Sequence, residues 1–110
     1  MSAPGQRRRG PGLMRVAGPS MEPTLHRADL LLVWWGGRAA PGRLVVFEHP
    51  LEGVLTVKRV VNTDPDDPRR WWVERDNPRV GSDSWTFGSI ADAQILARVL
   101  TRLPRSLRGA

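Results

Sequence analysis

Proline and glycine punctuate this chain so densely that no long helix can run through it. There are 10 prolines and 11 glycines among 110 residues. Proline removes a backbone donor and fixes φ, and glycine weakens any regular element it interrupts. What remains is a set of short apolar runs at residues 13–17, 30–35, 44–47, 54–61 and 70–74, rich in Val, Leu and Trp and bounded by Gly, Pro and Asp clusters. Runs of this length between turn signals predict strands, and therefore a mainly β domain. Residues 63–68, Thr-Asp-Pro-Asp-Asp-Pro, read as a loop. Residues 91–103 fit two patterns equally: Ile95, Val99 and Leu103 at helical spacing, or Ile95, Ala97, Val99, Thr101 and Leu103 in alternation.

A mass of 12.3 kDa allows one small domain. Residues 1–12 are rich in Pro, Gly and Arg and are expected to form a disordered basic tail. The domain is then expected over 13–104, with a second flexible basic tail over 105–110. The net charge is +6, but it is concentrated at the two ends, so the body is close to neutral. The arginine tails are expected to make at most nonspecific contacts with anions. Cysteine is absent, which excludes disulfides, thiolate zinc sites and iron–sulfur clusters, and the only imidazoles are His26 and His49. No metal and no cofactor are expected. The apolar runs fall far short of the ~20 residues that span a bilayer, and the N-terminus carries no apolar signal-like segment. The expectation is a cytoplasmic protein without stable membrane insertion.

Sixteen of the seventeen basic side chains are arginine, and the single lysine is Lys58. Arginine does not lose its proton near neutral pH, whereas lysine does so when its surroundings disfavour the charge. On a strand Lys58 shares a face with Val54, Thr56 and Val60, while Arg59 points the other way with Val57 and Val61. Apolar neighbours desolvate an ammonium and lower its pKa, although the strand pattern by itself favours a lysine reaching solvent along its stem. A second feature is Gly18-Pro19-Ser20-Met21-Glu22-Pro23-Thr24-Leu25. A serine between two prolines sits on a stiff turn that can present a hydroxyl beside free amide donors, as an acyl-transfer nucleophile requires. His26 is too near in sequence and His49 too constrained by Pro50 to be easy partners. A neutral lysine is the more economical base.

Ser20-Met21-Glu22-Pro23-Thr24-Leu25, Lys58-Arg59 and Asp76-Asn77 leading through Asp83-Ser84 to Phe87-Gly88, in that order, resemble the signal peptidase I (S26) family of Ser/Lys proteases. The short chain and the pair Trp71-Trp72 look most like small actinobacterial members associated with maturation of nickel-type superoxide dismutase. The resemblance implies a single domain of antiparallel strands with a signal-peptidase/LexA-like catalytic core, and it tips residues 91–103 toward a strand. It also implies a serine endopeptidase that removes an N-terminal leader from a protein precursor. Ser20 would be the nucleophile and oxyanion donor, Lys58 the general base, Met21 and Gly18 part of the substrate pocket, and Asp76, Asn77 and Asp83 a structural box.

Several positions depart from the family pattern. Gly18 stands where some members carry an oxyanion serine, and Gly81 where a serine usually supports the lysine. Ser82, Ser84 and Thr56 are the candidate substitutes. Arg75 replaces a glycine that opens the box and Trp85 an arginine that follows it, leaving Arg59 or Arg79 as counter-ions for Asp83. Ala28 and Arg43 replace structural glycine or aspartate. The competing readings are a LexA-like self-cleaving domain, an inactive homologue, and a nonenzymatic basic β module that binds nucleic acid. The paired tryptophans are expected to turn one ring inward and one outward.

Overall fold

The computed structural model describes residues 9–107. Seven strands form one open antiparallel sheet in the order β1-β2-β7-β3-β4-β5-β6. They are β1 (Gly10–Arg15), β2 (Leu30–Trp35), β3 (Leu44–Glu48), β4 (Leu55–Asp64), β5 (Asp67–Glu74), β6 (Ile90–Ala91) and β7 (Ile95–Arg102). A single turn of helix, α1 (Ser84–Phe87), is capped by the Asp83 carboxylate, which accepts from the Trp85 N–H. The radius of gyration is 13.5 Å, close to the ~13 Å of one compact domain of about this length. Among the described residues no helix is long and apolar enough to cross a membrane.

The alternation of strand side chains explains two separate apolar clusters. In β3, Val46 joins Met21, Leu31, Val33 and Ala97 on one side. Its neighbours Val45 and Phe47 join Val60, Val73 and Ile90 on the other. β7 lies between β2 and β3, where Ile95 and Ala97 are buried. A 3-10 turn at Asp92–Gln94 precedes β7, so the ambiguous stretch is mostly strand.

Three boundaries differ from the sequence expectation. β1 begins at Gly10, inside the stretch expected to be tail, and residues 1–8 lie outside the described part. The cause is nonlocal: Gly12 lies against the Trp35 indole of the paired strand, where there is no room for a Cβ. The expected loop at 63–68 is instead a tight hairpin, with β4 running to Asp64 and β5 starting at Asp67. Asp64 Oδ1 accepts from the Asp66 N–H across that turn. At the other end Arg105 is anchored rather than free. Its Nε donates to Asp29 Oδ1 at 3.1 Å and its Nη2 contacts His26 Nδ1 at 3.0 Å, over a carboxylate that is wholly buried. Residues 108–110 lie outside the described part.

The first tryptophan pair splits as expected, whereas in the second both rings are half-buried. Trp34 is exposed while Trp35 packs on the core, and Trp71 packs inward while Trp72 meets the exposed Trp85 edge-on at 5.2 Å.

Candidate active site

Ser20 sits on the turn that follows β1, and what holds that turn is apolar anchoring on one side and amide pinning on the other. Met21 and Leu25 are both 2% exposed and plug the core, while Ser20 beside them is half-buried. The Leu25 N–H donates to Met21 O and the Glu22 N–H to Pro19 O. Asn77 closes the opposite side, its backbone N–H donating to Ser20 O at 2.9 Å and its Nδ2 to Pro19 O at 3.0 Å. Asp76 accepts from Arg59 Nε at 2.9 Å and Nη2 at 2.7 Å and from Thr24 Oγ1 at 2.6 Å, tying the same turn to β4. Burial raises the Asp76 pKa, but the hydrogen bonds from Arg59 and Thr24 and the guanidinium charge outweigh it and hold the carboxyl below its ordinary range.

Lys58 lies in β4 opposite Val45 of β3, on the face shared with Thr56 and Val60, and is 2% exposed. Val54, expected on that face, precedes the strand and is exposed. Lys58 Nζ donates to Ser20 Oγ at 2.7 Å and to Thr56 Oγ1 at 3.2 Å. Burial pushes its pKa down. The charges of Asp83 and Glu52 pull it back up, and Arg75 pushes it down. Desolvation makes the ammonium give up its proton more easily than a solvated lysine would, and a free amine at this distance can take the proton of the serine hydroxyl. No acceptor among the described residues takes the Ser20 N–H, which leaves it free for a developing oxyanion. Ser20, Met21, Gly18, Lys58 and Thr56 all border a cavity of about 250 Å³.

The three candidate lysine supports part company. Thr56 contacts Lys58. Ser82 Oγ pairs with His49 Nε2 at 2.7 Å, and Ser84 Oγ accepts from the Val73 N–H at 2.9 Å, so both hydroxyls are engaged away from the amine. The fold leaves no room for a serine side chain at Gly81. Its φ is +99° and an added Cβ would lie 2.6 Å from Ser20 Cβ. Asp83 is paired with Arg75, through the backbone N–H at 3.1 Å and Nη1 at 3.2 Å, and not with Arg59 or Arg79. Arg75, and neither of the two arginines expected, is thus the counter-ion of Asp83.

Sequence reasoning missed His49 and Arg75. His49 follows the last residue of β3, and the hairpin brings it opposite Val54, whose carbonyl accepts its N–H at 2.7 Å. Reading 44–48 and 55–59 as paired strands would have carried it to the site. Among the described residues no group of three or more His, Asp or Glu side chains could hold a metal ion.

A family model described as Peptidase S24-like matches residues 6–100. No curated protein matches the chain.

Proposed function

The chain belongs to the Peptidase S24-like family, and from that premise we propose that it is a serine endopeptidase in which Ser20 and Lys58 form the catalytic dyad. The observation that carries this reading is the 2.7 Å contact between Lys58 Nζ and Ser20 Oγ, with the lysine 2% exposed. The free Lys58 amine takes the Ser20 proton while Oγ attacks the scissile carbonyl. The Ser20 N–H donates to the oxyanion, and protonated Lys58 returns its proton to the leaving amine. Lys58 then deprotonates a water that hydrolyses the acyl-enzyme and frees Ser20. Thr56 positions the amine from within the same strand.

Two sheet edges support an extended peptide as the form in which the substrate is held. Among the described residues β1 pairs only with β2, and residues 55–58 of β4 pair only with β3, because β5 joins β4 from Arg59 onward. Both edges border the cavity beside Ser20. An extended peptide laid between them gains backbone hydrogen bonds on either side.

The substrate we propose is a protein precursor carrying an N-terminal leader, of the nickel-type superoxide dismutase class. What supports it is the resemblance of the Ser20–Leu25 segment and the Lys58-Arg59 and Asp76–Gly88 boxes to signal peptidase I. The S24-like match favours a second reading, a domain that cleaves its own chain. Incubating the purified protein alone and with the precursor, followed by intact mass, separates the two. Leader release from the precursor is expected, and concentration-independent loss of mass from the protein alone would favour self-cleavage.

Activity requires the free amine, so the rate rises as pH climbs through the lowered Lys58 pKa. A flat profile between about pH 6 and 9 refutes the lysine base. Ser20→Ala and Lys58→Arg each abolish cleavage with the fold intact, and retained cleavage in either removes the dyad.

A further inference from the structure

The dyad and its support leave one hydrogen-bonded pair at the cleft unused, the buried His49 and the half-buried Ser82. His49 is 4% exposed, and its Nδ1 accepts from the backbone N–H groups of Leu51 at 3.1 Å and Glu52 at 3.2 Å. Two donors aimed at one ring nitrogen assign it the lone pair, so the neutral ring carries its proton on Nε2. Nε2 therefore donates to Ser82 Oγ at 2.7 Å. Phe87 meets the imidazole edge-on at 5.0 Å and helps hold its orientation. Having accepted from His49, the Ser82 hydroxyl keeps its own proton to donate, and no acceptor among the described residues takes it. Ser82 and His49 border the same cavity as Ser20 and Lys58, and Ser82 follows Gly81, which abuts Ser20.

We propose that Ser82 is a substrate-binding hydroxyl, oriented by His49, that donates a hydrogen bond to a backbone carbonyl of the peptide beside the scissile bond. This rests on the dyad reading and gives the cleft a fixed donor next to it. A peptide carbonyl is the fitting acceptor because an extended chain presents one at every residue, whatever its side chains. Ser82 reads the backbone, and His49 is a positioning residue. The pair is separate from the lysine, whose hydroxyl partners are Ser20 and Thr56.

Steady-state cleavage of a leader-spanning peptide by Ser82→Ala, His49→Leu and His49→Gln tests this. Ser82→Ala and His49→Leu are each expected to raise KM about tenfold, with kcat within about twofold of the parent, as for loss of uniform binding. The midpoint of the pH–rate profile stays in place. His49→Gln, whose side-chain amide reaches Ser82 as a donor, recovers most of the loss, and combining Ser82→Ala with His49→Leu is no worse than either alone. A lowered kcat with unmoved KM, or a shifted pH midpoint in Ser82→Ala, overturns the assignment, because Ser82 would then act through Lys58. Labelling of Ser20 by a small serine-reactive probe separates the two levels. A parent protein that neither labels nor cleaves overturns the dyad and this assignment together. A parent that does both, with KM unmoved in Ser82→Ala, overturns this assignment alone.

Discussion

Substituting Gly81→Ser, which would restore the residue type of the signal peptidase pattern at this position, is expected to silence the protein rather than improve it. A Cβ at position 81 lies 2.6 Å from Ser20 Cβ and 3.5 Å from Ser20 Cα. Carbon atoms settle at about 3.5–4.0 Å, so roughly 1 Å of separation must be found between the 81–82 loop and the Ser20 turn. The clash falls on Ser20 Cβ, the atom that carries Oγ, so movement of that side chain away from position 81 is taken up by the contact between Ser20 and Lys58. Lengthened from 2.7 Å by about 1 Å, it leaves hydrogen-bond range. A misplacement of that size costs about 10² in rate, or ~2.7 kcal/mol at ~1.36 kcal/mol per tenfold. The backbone adds its own strain, since a side chain at φ +99° costs ~1–3 kcal/mol. With an unfolding entropy of ~2.1 cal/mol/K per residue, a chain of 110 residues loses about 4 °C in Tm per kcal/mol, hence roughly 4–12 °C. Initial rates on a leader-spanning peptide near pH 9, alongside thermal melts, measure both effects. Gly81→Ala carries the same Cβ and must lose as much. A Gly81→Ser protein that cleaves at the parental rate would show that the clash is relieved elsewhere, and the geometric argument fails.

Gly18→Ser, at a position where an added Cβ meets nothing within 4 Å, supplies a second oxyanion donor and should raise kcat about tenfold; an unchanged kcat in a folded variant refutes a purely backbone hole. Ala28 is held at φ 71°, where the left-handed cost of ~1–2 kcal/mol exceeds the ~0.5–1 kcal/mol entropy cost of glycine. Ala28→Gly should therefore raise Tm by about 2–4 °C without touching activity, and a lower Tm contradicts this. The Asp76 carboxyl is held below its ordinary value near 3.8 by Arg59 and Thr24, so its stabilisation is complete above that value and is lost as pH falls through the lowered one. Urea midpoints of the parent should exceed those of Asp76→Asn at pH 7, with the gap closing below about pH 4; a pH-independent gap rules the linkage out.

The turn residues and the short apolar runs were enough to read a mainly β chain, because glycine and proline act locally and alternation is a property of adjacent residues. Five of the strands lie where those runs predicted them, within a few residues. The ends were misjudged for a nonlocal reason. Gly10 and Gly12 look like linker, yet they pair with β2 because the Trp35 indole needs a neighbour without a side chain. Arg105 looks like tail until the buried Asp29 carboxylate is placed beneath it. Residues 63–68 look like a loop because their prolines and aspartates signal a turn without revealing how far the ladder extends.

The sequence by itself drew the eye to Ser20 and Lys58, a serine between two prolines and a lone lysine among arginines. Each pattern alone fits an ordinary turn or a solvent-reaching lysine, and it was the resemblance of the surrounding motifs that joined them as a pair. The choice among hydroxyls belonged to tertiary structure. Thr56, Ser82 and Ser84 are equivalent on paper, and only the fold assigns them to Lys58, His49 and the Val73 N–H. It likewise gave Asp83 to Arg75 and brought His49 to the cleft. Hydrogen bonds and ion pairs form within about 3 Å, a scale that register and loop packing set across dozens of residues and that local sequence pattern does not encode.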